Sequence, residues 1–227
     1  MTWLLLHFER RGAARYLSHL ATARALQRTF ARAGLQLALS QGMRPKPRLS
    51  LGLPLPVGVA GLDELAVAEL AADQTSRAHE ILAKLKMAAA EGLAPLAVEM
   101  SDKRLRLEPV AAQYKCLVPA DVGALTAAAA EYALADAAPV ERVSPKGRRT
   151  VDLKRYVAQV RVEPAAEGAA LLFSVRHRAD GAARPDEVVR ELVRRAGGED
   201  AVPLVTRLNV VYDGLPVGAS GRESERT

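Results

Sequence analysis

The 227-residue chain is poor in aromatic side chains and has almost no cysteine. One Trp, three Phe and five Tyr make up 4% of it. The core must therefore be built mainly from Leu, Val and Ala, and broad stacking platforms for single-stranded bases are scarce. The one cysteine, Cys116, excludes an intrachain disulfide, a multi-cysteine zinc site and an iron–sulfur cluster of its own. A buried thiol within the strand-like run QYKCLV is its plain reading. No apolar run approaches the roughly 18 residues of a membrane span, so no membrane partner is expected. The N-terminus shows no basic leader with a small-residue cleavage site, so the expected compartment is cytoplasmic. GxSxG, P-loop and dinucleotide fingerprints are missing. The four histidines, at 7, 19, 79 and 177, have no ligand spacing, so no metal site is expected.

What is present is charge, unevenly spread. The chain is 49% hydrophobic and 26% charged, with a formal net charge of +6. Residues 1–60 alone hold nine Arg and Lys against Glu9, a net +8, so the opening stretch is more positive than the whole protein. Residues 139–161 hold Arg142, Lys146, Arg148, Arg149, Lys154, Arg155 and Arg161 against Glu141 and Asp152, a net +5. Fields of this kind attract polyanions and steer their approach.

The periodicities predict an α+β protein. Residues 2–8 form a strand apolar on both faces. Ser18 caps a helix through Ala33, with Leu20, Ala23, Leu26 and Phe30 inward and Gly34 at its end. Residues 35–39 read as a short strand. The segment 40–59 is a Pro/Gly-rich loop that becomes extended near Leu49. Residues 63–71 follow as a strand. Thr75 or Ser76 then starts a helix with Ala78, Leu82, Leu85 and Ala89 inward, and residues 94–100 make another strand. After Gln113 the order is strand, helix through Ala135, a strand at 140–143 interrupted by SPKGRRTVDL, two strands, a helix at 185–195 and a last strand at 203–212. This order predicts two tandem ferredoxin-like βαββαβ units with antiparallel sheets, 1–108 and 109–215, and a loose tail, 216–227. One extra strand or arm is expected in the second unit.

Arg24, Arg28 and Arg32 are spaced i, i+4, i+8 and share one side of the first helix. With Arg15 they form one candidate phosphate-binding set, and Arg44, Lys46 and Arg48 of the Pro-stiffened loop form another. Lys146, Arg148, Arg149, Lys154 and Arg155 form a third. Phosphate contacts from such residues would position a polynucleotide without reading its sequence. Tyr16 and Tyr156 lie beside these clusters and are the candidates for stacking a base. His19, at the start of the basic helix, is the one weak candidate for catalysis, as a general base on a ribose 2′-hydroxyl. A solvated basic face and a helix-terminal histidine are the plain readings of the same residues.

The stretch RYLSHLATARALQRTFARAGLQLALSQGMRPKPRLSLGLPLPVGV resembles the signature of the bacterial radical-SAM-linked family of unknown function. The match runs through Arg15, Ser18, His19, Arg24, Arg28, Arg32, Gly34, Ser40, Gly42, Pro45, Pro47, Pro54, Pro56 and Gly58, and VDLKRYV at 151–157 matches a second feature. In that family the domain is fused to a large radical SAM protein with a cobalamin-binding-type domain, or encoded beside it. Ribosomal proteins and an RNase E/G-type ribonuclease are frequent neighbours. Ala21 stands where the family usually has Asp, and Met43, Arg44 and Lys46 replace an aromatic, Asn or Ser, and His. The resemblance implies an RNA-binding accessory of a radical SAM enzyme acting on tRNA, rRNA or ribosomes. The chain would be non-catalytic by itself, with the iron–sulfur cluster and S-adenosylmethionine confined to the partner. A metal-independent RNA endonuclease using His19 and a protein-docking module without RNA binding remain the alternatives.

Overall fold

The computed structural model describes residues 2–71, 77–144, 147–198 and 204–215. The chain divides into two compact units, one running to Pro109 and resuming at Asn209, the other Val110–Leu208. Both are α+β.

The first unit begins with β1 (Thr2–Arg10) and a 3-10 turn (Gly12–Tyr16). Then come α1 (His19–Arg32), β2 (Leu49–Leu51), β3 (Ala60–Leu70), α2 (Ala78–Ala88) and β4 (Leu93–Ser101). The strand order is β4-β1-β3, with the short β2 also on β3, and every pairing is antiparallel. β1 is buried on both faces, as its unbroken apolar run predicts. Leu4, Leu6 and Phe8 pack with Leu26 and Phe30 of α1 and Ile81 and Leu85 of α2. Trp3 and Leu5 pack on the other face with Leu65, Val67 and Tyr212.

The helical faces differ in detail from the expected ones. α1 buries Thr22, Ala25, Leu26, Thr29 and Phe30, whereas Leu20 is 58% exposed. Both threonines are tolerated inside because their hydroxyls donate to carbonyls one turn back, at Ser18 and Ala25. α2 buries Ile81 with Leu85, leaving Leu82 half-buried. The expected caps Thr75 and Ser76 lie outside the described residues. Residues 35–39 are not a strand: Leu37 and Leu39 make single bridges, to Leu70 and Pro47.

The second unit contains β5 (Pro109–Val118), α3 (Val122–Leu134), β6 (Pro139–Ser144), β7 (Gly147–Asp152), β8 (Val160–Ala165), β9 (Gly168–Arg176) and α4 (Pro185–Arg195). The last strand, β10 (Leu204–Tyr212), contributes Leu204–Leu208 to this unit. The strand order is β10-β5-β9-β8. Tyr114, Cys116, Leu171 and Phe173 of the sheet and Leu125, Tyr132, Val188 and Leu192 of the helices are all buried, and the Tyr114 and Phe173 rings stack at 5.9 Å. SPKGRRTVDL does not interrupt a strand, as the sequence reading had it. β6 and β7 pair as an antiparallel ribbon from Pro139↔Asp152 to Ser144↔Gly147. The tail 216–227 lies outside the described residues.

Candidate nucleic-acid interface

The Pro/Gly segment of the first unit is organised around a buried cation. Arg10, 2% exposed, donates to the carbonyls of Leu17 (3.0 Å), Leu55 (3.3 Å), Pro56 (2.8 Å) and Val59 (3.2 Å), and to Thr22 Oγ1 (3.4 Å). A proline-rich loop has carbonyls in excess of amide donors, and a guanidinium with five N–H groups supplies them. The entry to α1 and the 52–59 loop are thereby tied to the end of β1. Gly58 N also donates to Arg15 O at 2.8 Å. Gly52 is dictated by a close approach, because a Cβ there would lie 2.0 Å from Tyr212 Oη, which accepts from Leu53 N at 2.8 Å.

Ser18 caps α1 through Oγ, accepting from Ala21 N at 3.1 Å. His19, the first helical residue, is exposed and lines a cavity of about 20 Å³ with Phe8, Arg10, Thr22, Leu55 and Glu64. That is room for about one water and not for a ribose phosphate. A strand reaching His19 would arrive from its solvent side. Among the described residues no three His, Cys, Asp or Glu gather to hold a metal ion.

The basic loop has a fixed base and a projecting tip. Ser40 N donates to Lys46 O (2.8 Å), and Lys46 N donates to Ser40 Oγ (3.0 Å). Ala38 and Arg48 are bonded to Glu69 of β3 through backbone groups. Arg48 also forms a 2.5 Å ion pair with the buried Glu69 carboxylate. Arg48 therefore anchors the loop, while Met43, Arg44 and Lys46 point to solvent, Met43 with no cover at all.

Arg24, Arg28 and Arg32 are all exposed along one side of α1. Arg32 donates to Ala88 O at 2.7 Å and so closes the C-terminal end of α2. Arg15 donates to Tyr16 Oη and lies 4.8 Å from the centre of its ring. One face of the exposed Tyr16 ring is thus already taken.

Most of the second cluster serves the fold. Arg142 makes a bidentate pair with Glu187, at 2.5 and 2.6 Å, and donates to Ala182 O, with both side chains buried. Burial alone would raise the Glu187 carboxyl. The Arg142 bonds and the Arg184 amide outweigh it and hold the carboxyl below its ordinary value. Lys154 donates to the carbonyls of Tyr132, Ala133 and Ala158, which caps α3. Arg155 pairs with Asp180, and Arg148 lies 3.4 Å from Glu141. Tyr156 is 6% exposed and belongs to the core, so its ring is closed to a base. Lys146 lies outside the described residues.

Of the candidate phosphate-binding residues that are described, Arg24, Arg28, Arg44, Lys46 and Arg149 have side chains without a hydrogen bond or ion pair to the described protein. Four of the five belong to the first unit, on α1 and the pinned loop. The separation of committed from uncommitted cations was not legible in the sequence, because the partners of Arg32, Arg48, Arg142 and Arg155 lie 21 to 56 positions away.

A family model described as an uncharacterized protein conserved in bacteria, DUF2344, matches residues 4–185. The chain belongs to this family. The DUF2344 match spans β1, the Arg10-centred loop, the basic tip and the second cluster as far as the start of α4. No curated protein matches the chain.

Proposed function

We propose that this chain is an RNA-binding accessory that works beside a radical SAM enzyme on tRNA, rRNA or a ribosomal particle. The observation carrying the reading is the set of unpartnered cations Arg24, Arg28, Arg44 and Lys46. Like charges at i, i+4 repel each other by a few tenths of a kcal/mol, and a phosphate chain relieves that repulsion. A loop whose base is hydrogen-bonded on both sides presents Arg44 and Lys46 with little ordering cost on binding. The radical SAM partner follows from the resemblance of the signature segment, and the cluster and S-adenosylmethionine belong to that partner. The strand orders β4-β1-β3-β2 and β10-β5-β9-β8 support reading both units as ferredoxin-like.

The test is an anisotropy titration of labelled tRNA with the full chain and with the Arg24→Glu/Arg28→Glu/Arg44→Glu/Lys46→Glu variant. A loss of at least about 100-fold in affinity is expected, with a weaker dependence on salt. Unchanged affinity removes the reading. Cleavage of the same RNA that disappears in His19→Ala would replace it with the endonuclease reading.

A second reading rests on Met43. Full exposure of an apolar side chain next to Arg44 on a pinned loop is the composition of a protein contact. If the tip docks a protein, Met43→Asp weakens capture of the radical SAM partner and leaves tRNA affinity as it was.

A further inference from the structure

The second unit has a feature the basic clusters do not explain. β5 turns Ala112, Tyr114, Cys116 and Val118 inward, and β9 does the same with Leu171, Phe173 and Val175. Strand alternation sends Leu172, Ser174 and Arg176 to the opposite face. There the register sets Arg161 across from Leu172 and Ala111 across from Arg176. On this face Leu172 is half-buried and Ser174 and Arg176 are exposed. A groove of about 730 Å³ opens on it, lined entirely by residues of this unit.

The lining is of two kinds. Val110, Ala111, Ala158, Leu172 and Leu208 make an apolar floor. Arg161, Arg176 and Arg178, with Gln159 and Ser174, supply charge and hydrogen bonds, and no carboxylate is among the lining residues. Among the described residues Arg176 has no side-chain partner. Arg161 is paired with Glu163, which does not line the groove, and Arg178 lies 4.0 Å from Asp180. Such exposed pairs are weak and readily exchanged for a stronger anion. His177 lines the groove with Nε2 buried and without a hydrogen-bond partner. Its imidazole is held below its ordinary pKa by burial and by Arg207, so it is neutral near pH 7.

We propose that this groove binds the nucleoside phosphate units of a single-stranded RNA, with bases on the aliphatic floor and phosphates at Arg161 and Arg176. The inference rests on the RNA-binding reading and adds a second contact on a different unit. The volume suits roughly one or two nucleotides. Arg176 and the Leu172 position facing Arg161 are four residues apart on β9, about 13 Å along an extended strand, so the two side chains start from points too far apart to converge easily on one phosphate. Tyr114 and Phe173 also line the groove but are buried to 4% and 6% in the inward row of their strands, so bases rest mainly on aliphatic carbon. Binding here is weaker per nucleotide than on an aromatic platform, and it depends strongly on salt.

The test uses the full chain, a labelled single-stranded RNA 8-mer, and UV crosslinking with peptide mapping. Arg161→Glu/Arg176→Glu is expected to weaken 8-mer binding about tenfold and to abolish crosslinks to residues 158–178. The α1 and loop charge reversals should leave those crosslinks in place. Wild-type affinity and crosslinks in Arg161→Glu/Arg176→Glu overturn the groove, whatever the α1 variant does. Loss of groove crosslinks only in the α1 variant also overturns it as an independent site. Displacement of the 8-mer from the groove by a nucleoside 5′-monophosphate at comparable concentration supports the site and makes a free nucleotide the natural source. Absence of binding by either probe overturns the groove and the RNA reading together. Arg161→Gln/Arg176→Gln serves if the charge reversal fails to fold.

Discussion

Arg10 and Arg142 carry the same formal charge as Arg24 and Arg28 and none of their freedom. Each is buried and held by acceptors far along the chain: Leu55 is 45 positions from Arg10, and Glu187 is 45 positions from Arg142. A charge count read from sequence includes all four alike. It cannot show which guanidinium will meet a carboxylate, because that is decided by tertiary folding. Glu187→Ala, which strands Arg142, is expected to cost about 3–5 kcal/mol in urea unfolding. The pH dependence follows from the same site. Glu187 and Glu191 both hold their protons less tightly when folded than at the ordinary carboxyl value of 4.5. Below that value the unfolded chain binds more protons, so acid favours unfolding. Stability from these groups is present in full above pH 4.5 and is lost as pH falls through the folded values. Thermal melts across pH 7 to 3 should show this decline, and Glu187→Gln should flatten it.

The order of elements was largely legible, since β1, α1 and β3 announce themselves through apolar period and the Ser18 cap, while α3 opens at Asp121, whose carboxylate accepts from Ala124 N, and α4 opens at Pro185. What the sequence hid was polar chemistry inside elements. The buried face of α1 runs through Thr22 and Thr29, which read as polar until their hydroxyls are seen bonded within the helix. β7 exposes Gly147, Arg148, Arg149 and Thr150, so it lacks the alternation that marks a strand. For the candidate site, the loop tip and the α1 stripe were legible as charge, but the helix-closing roles of Lys154 and Arg32 were not. Lys154→Met should destabilise the chain by about 1–3 kcal/mol, by freeing the last carbonyls of α3, with RNA affinity unchanged. Arg149→Glu should do the reverse, lowering affinity in the tRNA titration while the urea midpoint stays put.

At the scale of the molecule, the end of the chain returns to the first unit. Leu53 and Tyr212 are 159 positions apart and joined by one hydrogen bond, with Gly52 leaving space for the ring. Gly52→Ala should cost about 1–3 kcal/mol through overpacking, read as a lower urea midpoint. Tyr212→Phe should recover part of that loss, because the atom nearest the added methyl is its hydroxyl oxygen.

The lone tryptophan and the lone cysteine fall in different units, and both are buried. Trp3 lies among Leu5, Leu65, Val67 and Tyr212, with the Arg104 guanidinium 5.7 Å from its ring. Cys116 is fully enclosed, and burial, aided by Asp186, pushes its thiol up to about 12. At neutral pH a maleimide can therefore reach that sulfur only during an opening of the second unit, while indole fluorescence follows the first. Nature has thus fitted each half with its own clock, and a single unlabelled sample can be timed by both.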